Sequence, residues 1–403
     1  MIDIVMTAKD MGIYVIVADN NPNSPSKRFA DKSLDISTDK IDELEAFCRN
    51  EQIDGVFTGF EDFNIHIAQE LCHRLDLSFY ATKEQLDIVT NKVEFKDACR
   101  KYGVPVIEQY TLAEAKSDGK YPYIIKPADS YGSRGITICR NAEELDKGYT
   151  KAITVSKSDT AIIERFIDYD HGTELFYTVV NGNIHLTVTA DRYTVRNGET
   201  TVPLPVAEVF PSRHRDDMVN RIDKNIRSML KGIGIENGLV LIQALYDGED
   251  YFVYEMAYRF TGEQHYRLVE KQRGVSIARM MIFHALGEDI SSHDTHLLDD
   301  DNFTKPAINF ALVLNPGTIK SVTGLENVYK IEEVTSYNLT HGNDDEIKPS
   351  GDYSHMLIRI NMVAESYPKL CEAVKKVNEY VKVVSYDDED MLVEKFELPE
   401  DIL

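Results

Sequence analysis

One short stretch of the sequence combines a lysine with glycines and serines in a way that suits phosphate binding. Residues 121–138 read Tyr-Pro-Tyr-Ile-Ile-Lys-Pro-Ala-Asp-Ser-Tyr-Gly-Ser-Arg-Gly-Ile-Thr-Ile, so a predicted strand ends at Lys126 and a small-residue loop follows. Backbone N–H groups of such a loop can wrap an anion, and Lys126 adds a positive charge. No helix follows and no Gly-Lys-Ser ends the loop, so it is neither a P-loop nor a dinucleotide fingerprint. A hairpin loop with a chance lysine is the alternative.

A second set of residues has the chemistry of a magnesium site. Gln243 and Glu255 lie on either side of a predicted turn at Asp247–Asp250. If the two strands pair as a hairpin, both side chains can face the same side, and Mg²⁺ is commonly held by one or two protein carboxylates, phosphate oxygens and water. Arg259 follows four residues later, where a guanidinium can grip a transferring phosphoryl group. An exposed polar strand face is the alternative for Gln243 and Glu255.

The elements that position these residues fall into three predicted units, at residues 1–82, 83–290 and 291–403. The first alternates helices and strands, as is typical of an α/β layer with a parallel sheet. Its predicted elements are helix Ile2–Met11, strand Tyr14–Ala18, helix Ile41–Asn50, strand Gly55–Thr58 and helix Phe63–Leu75.

The second unit has longer strands with an antiparallel character, and the third is predicted to be α+β. Asn181-Gly182 suits the type I′ turn of a hairpin. The predicted strands are Tyr123–Pro127, Gly135–Cys139, Ala161–Phe166, Leu175–Val180, Asn183–Ala190, Val240–Tyr246 and Asp250–Tyr258. The predicted helices are Lys83–Tyr102, Asp216–Lys231, Ile277–Leu286 and Tyr367–Val381.

Composition narrows the classes of partner. The 403 residues carry 44 Lys and Arg against 68 Asp and Glu, a net charge of −24, which disfavours nucleic acids and membrane surfaces. The longest apolar stretches, such as Gly238–Ile242, are too short to span a membrane. Five scattered cysteines, and the lack of a basic and then apolar leader at Met1, lead us to expect reduced thiols and a cytoplasmic location.

In this order along the chain, the motifs resemble the ATP-grasp superfamily. The similarity is greatest to the branch of the carbamoyl-phosphate synthase large subunit, biotin carboxylase, two purine-biosynthesis enzymes and the L-amino-acid ligases. It rests on Asn91-Lys92, the Lys126 loop, residues 164–174, residues 243–259 and the tail at Asn315–Ile319. The resemblance implies an ATP-grasp fold, of mixed α/β and α+β class, with an N-terminal Rossmann-like pre-ATP-grasp domain and a C-terminal α+β domain.

The resemblance also implies roles for individual residues. The expected ATP-binding residues are Lys92 and Lys126 at the phosphates, Ser130, Gly132, Ser133 and Gly135 in the loop above them, Glu164, Arg165, Phe166 and Ile167 in the hinge beside adenine, and Glu174 at the ribose. Gln243 and Glu255 are expected to hold Mg²⁺ or Mn²⁺. Arg259 and Lys126 are expected to act on the reacting phosphate.

The implied activity is that of an ATP- and Mg²⁺-dependent ligase, in which a carboxylate becomes an acyl phosphate that an amine or similar nucleophile attacks. Its partners would then be small-molecule carboxylates and amines, with a homodimer left open. Two alternatives remain. One is a catalytically silent nucleotide-binding module, and the other is a biotin-carboxylase-like enzyme, which would need bicarbonate-dependent ATP cleavage although no carrier domain is attached.

Two departures from the family pattern bear on these expectations. Relatives commonly read Glu-x-Asn-x-Arg at the second metal strand, whereas Ala257 stands here between Glu255 and Arg259 and cannot bind a metal. This substitution favours weaker binding of one Mg²⁺ and keeps the silent module open. Relatives also begin with a strand and a glycine-rich turn, so we expect the reading frame to continue upstream of Met1 with a β-branched run ending in glycines.

Histidines and further arginines near these motifs have less defined roles. His171, His214 and His265 lack metal-ligand spacing, and hydrogen-bonded or surface histidines are the favoured interpretation, with His265 also a candidate for the acceptor side. Three arginines lie in or near segments that line the substrate side in relatives, namely Arg192, Arg213 and Arg267. They are candidates for binding the substrate carboxylate, without a choice among the three, and for Arg192 a plain surface ion pair with Asp191 is the favoured alternative.

Overall fold

The computed structural model describes residues 1–130, 135–167, 171–195, 204–291, 293, 295–299, 303–348, 353–393 and 395–399. The predicted phosphate loop is therefore described at its two ends, Ser130 and Gly135. Gly132 and Ser133 lie outside the described residues. Within the described part of the chain, the longest helices have 14 residues, and none is long and apolar enough to cross a membrane.

Helices and strands are interspersed along the whole described chain. The helices are α1 (Ile2–Asp10), α2 (Ile41–Glu51), α3 (Asp62–Leu75), α4 (Lys83–Thr90), α5 (Lys92–Lys101), α6 (Leu112–Asp118), α7 (Ala142–Val155), α8 (Arg215–Met218), α9 (Lys224–Ile233), α10 (His265–Arg273), α11 (Ile277–Ala285), α12 (Leu325–Val328) and α13 (Tyr367–Tyr380). The strands are β1 (Ile16–Ala18), β2 (Lys32–Leu34), β3 (Gln109–Tyr110), β4 (Tyr123–Pro127), β5 (Thr137–Cys139), β6 (Ala161–Arg165), β7 (His171–Val180), β8 (Asn183–Val195), β9 (Leu204–Phe210), β10 (Gly238–Tyr246), β11 (Tyr251–Ala257), β12 (Ala307–Val313), β13 (Gly317–Thr323), β14 (Val334–Leu339), β15 (Glu346–Ile347), β16 (Met356–Val363) and β17 (Lys382–Ser385).

The N-terminal unit contains a parallel pair of strands with helices around it. β1 pairs with β2 in parallel, which agrees with the predicted parallel sheet, although β2 was not among the predicted strands. The prediction of a strand at Gly55–Thr58 is wrong, because this segment has no ladder partner among the described strands and a strand exists only where its backbone is paired. The prediction of one helix over Lys83–Tyr102 is also wrong. The chain breaks at Asn91, whose side chain accepts the Val93 and Glu94 amides and so starts a new helix, α5.

One large antiparallel sheet forms the centre of the molecule, with strand order β11-β10-β7-β8-β9-β12-β16-β14. Its β7–β8 connection is the predicted hairpin, where Asn181 and Gly182 both have positive φ. Helices α4, α5 and α9 pack on one face of the sheet, and α1, α10 and α11 pack on the other. Strands from the C-terminal hundred residues, β12, β14 and β16, extend the same sheet, so its far end comes from the third predicted unit.

Two smaller sheets complete the architecture. β3, β6, β4 and β5 form an antiparallel sheet that packs on α6 and α7 through a compact core around Tyr123 and Leu145. This small sheet carries Lys126 and Glu164, and it faces the strands that carry Gln243 and Glu255. β15, β13 and β17 form the other sheet, which packs with α13 near the C-terminus.

A reciprocal pair of tyrosines joins the N-terminal unit to the end of β11. The Tyr80 hydroxyl donates to the carbonyl of Tyr258 at 3.0 Å. The Tyr258 hydroxyl lies 2.9 Å from the Tyr80 carbonyl and 2.5 Å from that of Asn237. The two rings also meet edge to face, with centroids 5.1 Å apart. Because Arg259 is the next residue, this contact fixes the backbone from which the predicted catalytic arginine extends.

Tyr258→Phe is expected to destabilise the fold, because it leaves the carbonyl groups of two half-buried residues without the donor they share. The loss of such a bond costs about 1–3 kcal/mol. Thermal unfolding followed by calorimetry should show a lower melting temperature than in the parent and in Tyr14→Phe, which changes an exposed tyrosine. Equal melting temperatures for all three proteins would show that the tyrosine pair contributes nothing to stability.

Candidate functional site

Three polar side chains lie side by side on adjacent strands of the large sheet. Gln243 on β10 lies directly opposite Glu255 on β11 and directly opposite Glu174 on β7. Directly opposed residues of antiparallel strands point to the same face, so the three side chains form one row. The predicted hairpin geometry of Gln243 and Glu255 is confirmed, and Glu174, which the sequence assigned to the ribose, joins the same row.

The members of this row differ in burial, and their contacts fix the amide of Gln243. Glu174 is buried, Gln243 is half-buried and Glu255 is exposed. Gln243 Nε2 donates to Glu174 Oε1 at 2.6 Å, which leaves the Gln243 carbonyl oxygen as its acceptor atom. Burial raises the pKa of Glu174 to about 7, although Arg192, 3.4 Å from the same oxygen, favours its ionised form. The exposed end of the row thus presents an amide oxygen and a carboxylate.

A β-bulge beside this row turns an aromatic ring toward the cleft. The register shifts between Gln243 and Ala244, so Tyr254 becomes the extra residue of β11. Lys126 Nζ lies 5.7 Å from the centre of the Tyr254 ring, and Arg192 donates to the Tyr254 hydroxyl at 3.3 Å. The bulge therefore brings the small sheet, the large sheet and Arg192 together at one residue.

A buried carboxylate between two lysines holds the other side of the cleft. Lys126 Nζ lies 2.9 Å from Glu164 Oε2, and Lys96 forms an ion pair with Glu164 Oε1. Glu164 is 0% exposed and Lys96 is 2% exposed. Burial, and then the charge of Lys126, lower the pKa of Lys96 to about 6. Sequence reasoning missed Lys96, although its position four residues after Lys92 on one helix was a usable signal.

The pKa of Lys126 reflects the same crowding of positive charge. Burial, and then the nearby Lys92, lower the pKa of Lys126 to about 8, whereas Glu255 raises it. Together with the 5.7 Å from Lys126 Nζ to the Tyr254 ring, this influence indicates that the lysine of the small sheet lies within electrostatic reach of the Glu255 carboxylate on the large sheet. A polyanion entering between them would restore the charged form of Lys126, because an opposite charge favours ionisation.

The two described ends of the predicted phosphate loop are fixed by different means. Lys92 Nζ donates to the Ser130 carbonyl at 2.6 Å, and the Lys92 amide donates to Ala128 O at 3.3 Å. Gly135 has φ of +79°, and a Cβ there would lie 2.7 Å from Pro127 Cγ. The start of the loop is therefore held at Ser130 by Lys92, which is itself a predicted phosphate ligand. The end of the loop is Gly135, where the backbone conformation and the close contact with Pro127 require glycine.

An apolar cluster lies beside the predicted hinge. Ile107, Ile167 and Leu245 are buried together, with Phe252 and Tyr254 packed against them. Of the other hinge residues, Phe166 donates its amide to the Pro122 carbonyl at 3.1 Å, and Arg165 pairs with Asp247 at 3.0 Å. Such a cluster, edged by backbone groups, has the chemistry that a flat heteroaromatic base requires.

Arg259 is held by the N-terminal unit. Its Nε lies 2.6 Å from Asp62 Oδ1 and its Nη2 lies 3.3 Å from Asp62 Oδ2, a two-point contact with the first residue of α3. Burial lowers the pKa of Arg259, but the Asp62 carboxylate overcomes this effect and keeps the pKa above its ordinary value. Glu255 and Glu263 add to the same effect, which places the guanidinium within electrostatic reach of both.

The histidines and the remaining arginines lie at different distances from the row of Glu174, Gln243 and Glu255. His265 is buried beside the Phe176 ring, and burial lowers its pKa to about 3. His171 and His214 contact each other at 3.0 Å in a separate cluster, where Arg213 lies 2.9 Å from His171 Nδ1. Arg192, beside Glu174, therefore meets the row, whereas Arg213 belongs to the histidine cluster. The described contacts do not bring Arg267 to the row.

The family model "Carbamoyl-phosphate synthase L chain, ATP binding domain" matches residues 89–293, just over half of the chain. The carbamoyl phosphate synthase large chain of Clostridium acetobutylicum is 24% identical over 301 residues, which cover 71% of this chain and 27% of that protein. The match to a formate-dependent phosphoribosylglycinamide formyltransferase of Ignicoccus hospitalis is 26% over 215 residues, or 51% of this chain and 50% of that protein. The chain thus spans half or less of these curated relatives.

Solved structures share the fold over nearly the whole chain. An L-amino acid ligase from Bacillus licheniformis superposes with a TM-score of 0.78 at 18% identity, covering 95% of both chains. This likeness shows that α/β and α+β elements combine as the motifs predicted. The match to the family model is the stronger finding, because it includes the Lys126 strand, the hinge and the Gln243–Glu255 hairpin. The chain therefore belongs to the carbamoyl-phosphate synthase L chain ATP-binding domain family, and with it to the ATP-grasp superfamily.

Proposed function

We propose that the chain is an ATP- and Mg²⁺-dependent ligase that activates a carboxylate as an acyl phosphate and joins it to an amine. The observation that carries this proposal is the position of Lys126, whose Nζ lies 5.7 Å from the centre of the Tyr254 ring, next to Glu255 and its in-register partner Gln243. A cation on one wall and metal-binding oxygens on the other are what the phosphates of ATP require. Family membership supports the same reaction class.

Different groups of the described side chains are proposed to bind the adenine, the ribose and the phosphates. The apolar cluster around Ile167 and Leu245 would take the adenine, with the backbone of residues 164–167 at its edge. Glu174 remains the proposed ribose ligand, although Gln243 and Arg192 already engage its carboxylate. Lys92, Lys126 and the loop that begins at Ser130 would surround the phosphates. Lys96 would act through Glu164, by holding the carboxylate that positions Lys126.

The donor atoms of the row fit Mg²⁺. Glu255 offers an exposed carboxylate, and Gln243 offers an amide oxygen whose orientation is set by the bond from its Nε2 to Glu174. A bound Mg²⁺ would supply charge neutralisation at the phosphate oxygens. The protein's own part is to hold these two ligands on adjacent strands and to keep Lys126 opposite them.

The chemical step needs positioning and charge, with little covalent help from the protein. A substrate carboxylate oxygen attacks the γ-phosphorus, a new P–O bond forms, and the bond to ADP breaks. The neutral amine then attacks the acyl carbon to form the C–N bond, phosphate leaves with the electron pair of the C–O bond, and the nitrogen releases one proton to the departing phosphate or to water. Arg259, held by Asp62 and close to Glu255 in electrostatic terms, is proposed to stabilise the charge on the transferring phosphoryl group.

One observation favours a second candidate, a silent nucleotide-binding module. Ala257 lies opposite Leu241 and is packed in the core on the same side of the sheet as the row, so it offers no metal ligand. Release of ADP and phosphate, measured with a panel of amino acids and other carboxylates plus amines, separates the candidates. Nucleotide binding without stimulated turnover for any pair would favour the silent module.

The affinity for ATP is expected to fall as the pH rises through about 8. The unliganded protein must bind a proton on Lys126 before the ammonium can pair with phosphate, and that proton is increasingly absent above the pKa of about 8. The dissociation constant should then rise by up to about tenfold per pH unit. Calorimetric titration with a non-hydrolysable ATP analogue checks this trend. Lys126→Arg should bind with little change up to about pH 9, since arginine stays charged there, and a parent equally insensitive to pH would contradict the expectation.

The two proposed Mg²⁺ ligands, Glu255 and Gln243, are expected to contribute unequally to the affinity for Mg²⁺. Glu255→Gln removes a negatively charged ligand, so the Mg²⁺ concentration for half-maximal ATP cleavage should rise by about tenfold or more. Gln243→Ala removes a neutral ligand and should cause a smaller rise. Titration of Mg²⁺ at saturating ATP compares the variants, with Glu288→Gln, on the exposed turn after α11, as a control. A larger effect of Gln243→Ala would place the main ligand elsewhere.

Ala257→Asn is expected to raise metal affinity if the missing ligand limits this protein. The new amide would disturb the apolar packing with Leu241 as it extends toward Glu255, so some loss of thermal stability should accompany the gain. The same Mg²⁺ titration, together with a melting temperature, measures both effects. A variant that melts normally but binds Mg²⁺ no more tightly would mean that another group already completes the coordination.

A further inference from the structure

The strongest unexplained feature outside the nucleotide site is a buried carboxylate on β9. Glu208 is 1% exposed, and neither of its carboxylate oxygens has a hydrogen-bond partner within the described residues. An ionised carboxylate can accept about four hydrogen bonds. A buried acceptor left without donors is costly, so such a group in a folded protein requires an explanation.

The register of the sheet places Glu208 next to the row that carries the metal ligands. Glu208 lies opposite Arg192 on β8 and opposite Asn309 on β12, so these three side chains form a second row on the same face. Arg192 also contacts Glu174, which links the second row to the first. The second row therefore lies beside the first on the same face of the sheet, on the side away from β11.

The surroundings of Glu208 are built from charged and amide groups whose described contacts go elsewhere. Arg359 donates to Asn309 Oδ1 at 2.5 Å, and Asn309 Nδ2 donates to Asn361 and to the Glu263 carbonyl at 2.8 and 2.6 Å. The groups that act electrostatically on Glu208 are Glu174, Glu263, Arg359 and Arg192. Arg359 and Asn309 are thus bonded to other groups, while the two carboxylate oxygens of Glu208 receive no hydrogen bond from the described residues.

The two oxygens of Glu208 indicate what kind of group is missing, because they lack donors. Burial, and then the charges of Glu174 and Glu263, raise the pKa of Glu208 well above its ordinary value. A ligand with one positive charge and several N–H donors would favour the ionised form of Glu208 and satisfy both of its oxygens. The guanidiniums of Arg192 and Arg359 would repel a divalent metal ion, which makes a monovalent organic cation the better match.

We propose that Glu208 binds the nucleophilic substrate, and that this substrate is a primary amine which enters as its ammonium ion. The inference rests on the proposed ligase function and adds the acceptor subsite to it. Glu208, opposite Arg192, receives the ammonium group through charge-assisted hydrogen bonds and then accepts one of its protons, which leaves the neutral amine with the lone pair that attacks the acyl carbon. Arg359 and Asn309 act as positioning residues, because their mutual contact keeps the floor of the subsite fixed.

Glu208→Gln keeps the shape of the side chain and removes its ability to carry a negative charge. The KM for the amine should rise by about 10- to 100-fold while the KM for ATP stays unchanged, a split that a general loss of packing would not produce. Glu288→Gln is the matched control, since it makes the same change at an exposed site. An unchanged KM for every active amine in Glu208→Gln would overturn the subsite.

A second assay separates this inference from the proposed function. Hydroxylamine is mostly uncharged near neutral pH and traps acyl phosphates as hydroxamates. Both the parent and Glu208→Gln should form hydroxamate from the active carboxylate at similar rates, because activation does not need the ammonium subsite. Loss of hydroxamate in Glu208→Gln alone would overturn the assignment of Glu208 to the amine.

If the parent forms no hydroxamate with any carboxylate, the proposed function fails and binding decides the inference by itself. Methylammonium chloride is then titrated calorimetrically into the ADP-loaded parent and Glu208→Gln, with potassium chloride as the blank. Binding that is present in the parent and lost in Glu208→Gln supports the subsite. Equal binding, or no binding to the parent, overturns it.

Discussion

The antiparallel register of β7, β10 and β11 is the constraint on which the site depends. It places Glu174, Gln243 and Glu255 in one row, and the next strands continue the pattern with Arg192, Glu208 and Asn309. Side chains alternate between faces along a strand, so a shift of one residue would turn a whole row into the apolar core. The hydrophobic residues on the opposite face therefore enforce the position of the polar ones.

The second requirement is to keep several positive charges close together before any anion arrives. Lys92, Lys96 and Lys126 converge on the small sheet, and Glu164 balances two of them from a fully buried position. A buried charge without a partner would be prohibitive, and the crowding lowers the pKa of Lys96 to about 6 and that of Lys126 to about 8, so the empty site can release protons that an arriving anion would restore. The structure thus combines a stable resting arrangement with a remaining attraction for phosphate.

The residues that were predictable from the sequence are those with local signals. The Lys126 loop, the Asn181-Gly182 hairpin and the Gln243–Glu255 hairpin are each defined within about twenty residues, and the structure confirms the two hairpins. Lys96 and Glu208 were missed for different reasons. The helical spacing of Lys96 from Lys92 was present, but Glu208 acquires its meaning only from β8 and β12, which lie far apart in the sequence and pair through long-range contacts. The prediction of a strand at Gly55–Thr58 was wrong because a strand needs a neighbouring strand to pair with, and the local sequence of a segment does not reveal whether one is present.

Two consecutive residues, Tyr258 and Arg259, are both attached to the N-terminal unit, one through backbone carbonyls and the other through Asp62. The end of β11 cannot shift relative to residues 62–80 without breaking these contacts. Thermodynamic linkage makes such a connection reciprocal, so a ligand that draws the Arg259 guanidinium toward the cleft must weaken its hold on α3 by the same free energy. Occupancy of the site would then be visible far from it, as faster amide hydrogen exchange in the first turn of α3.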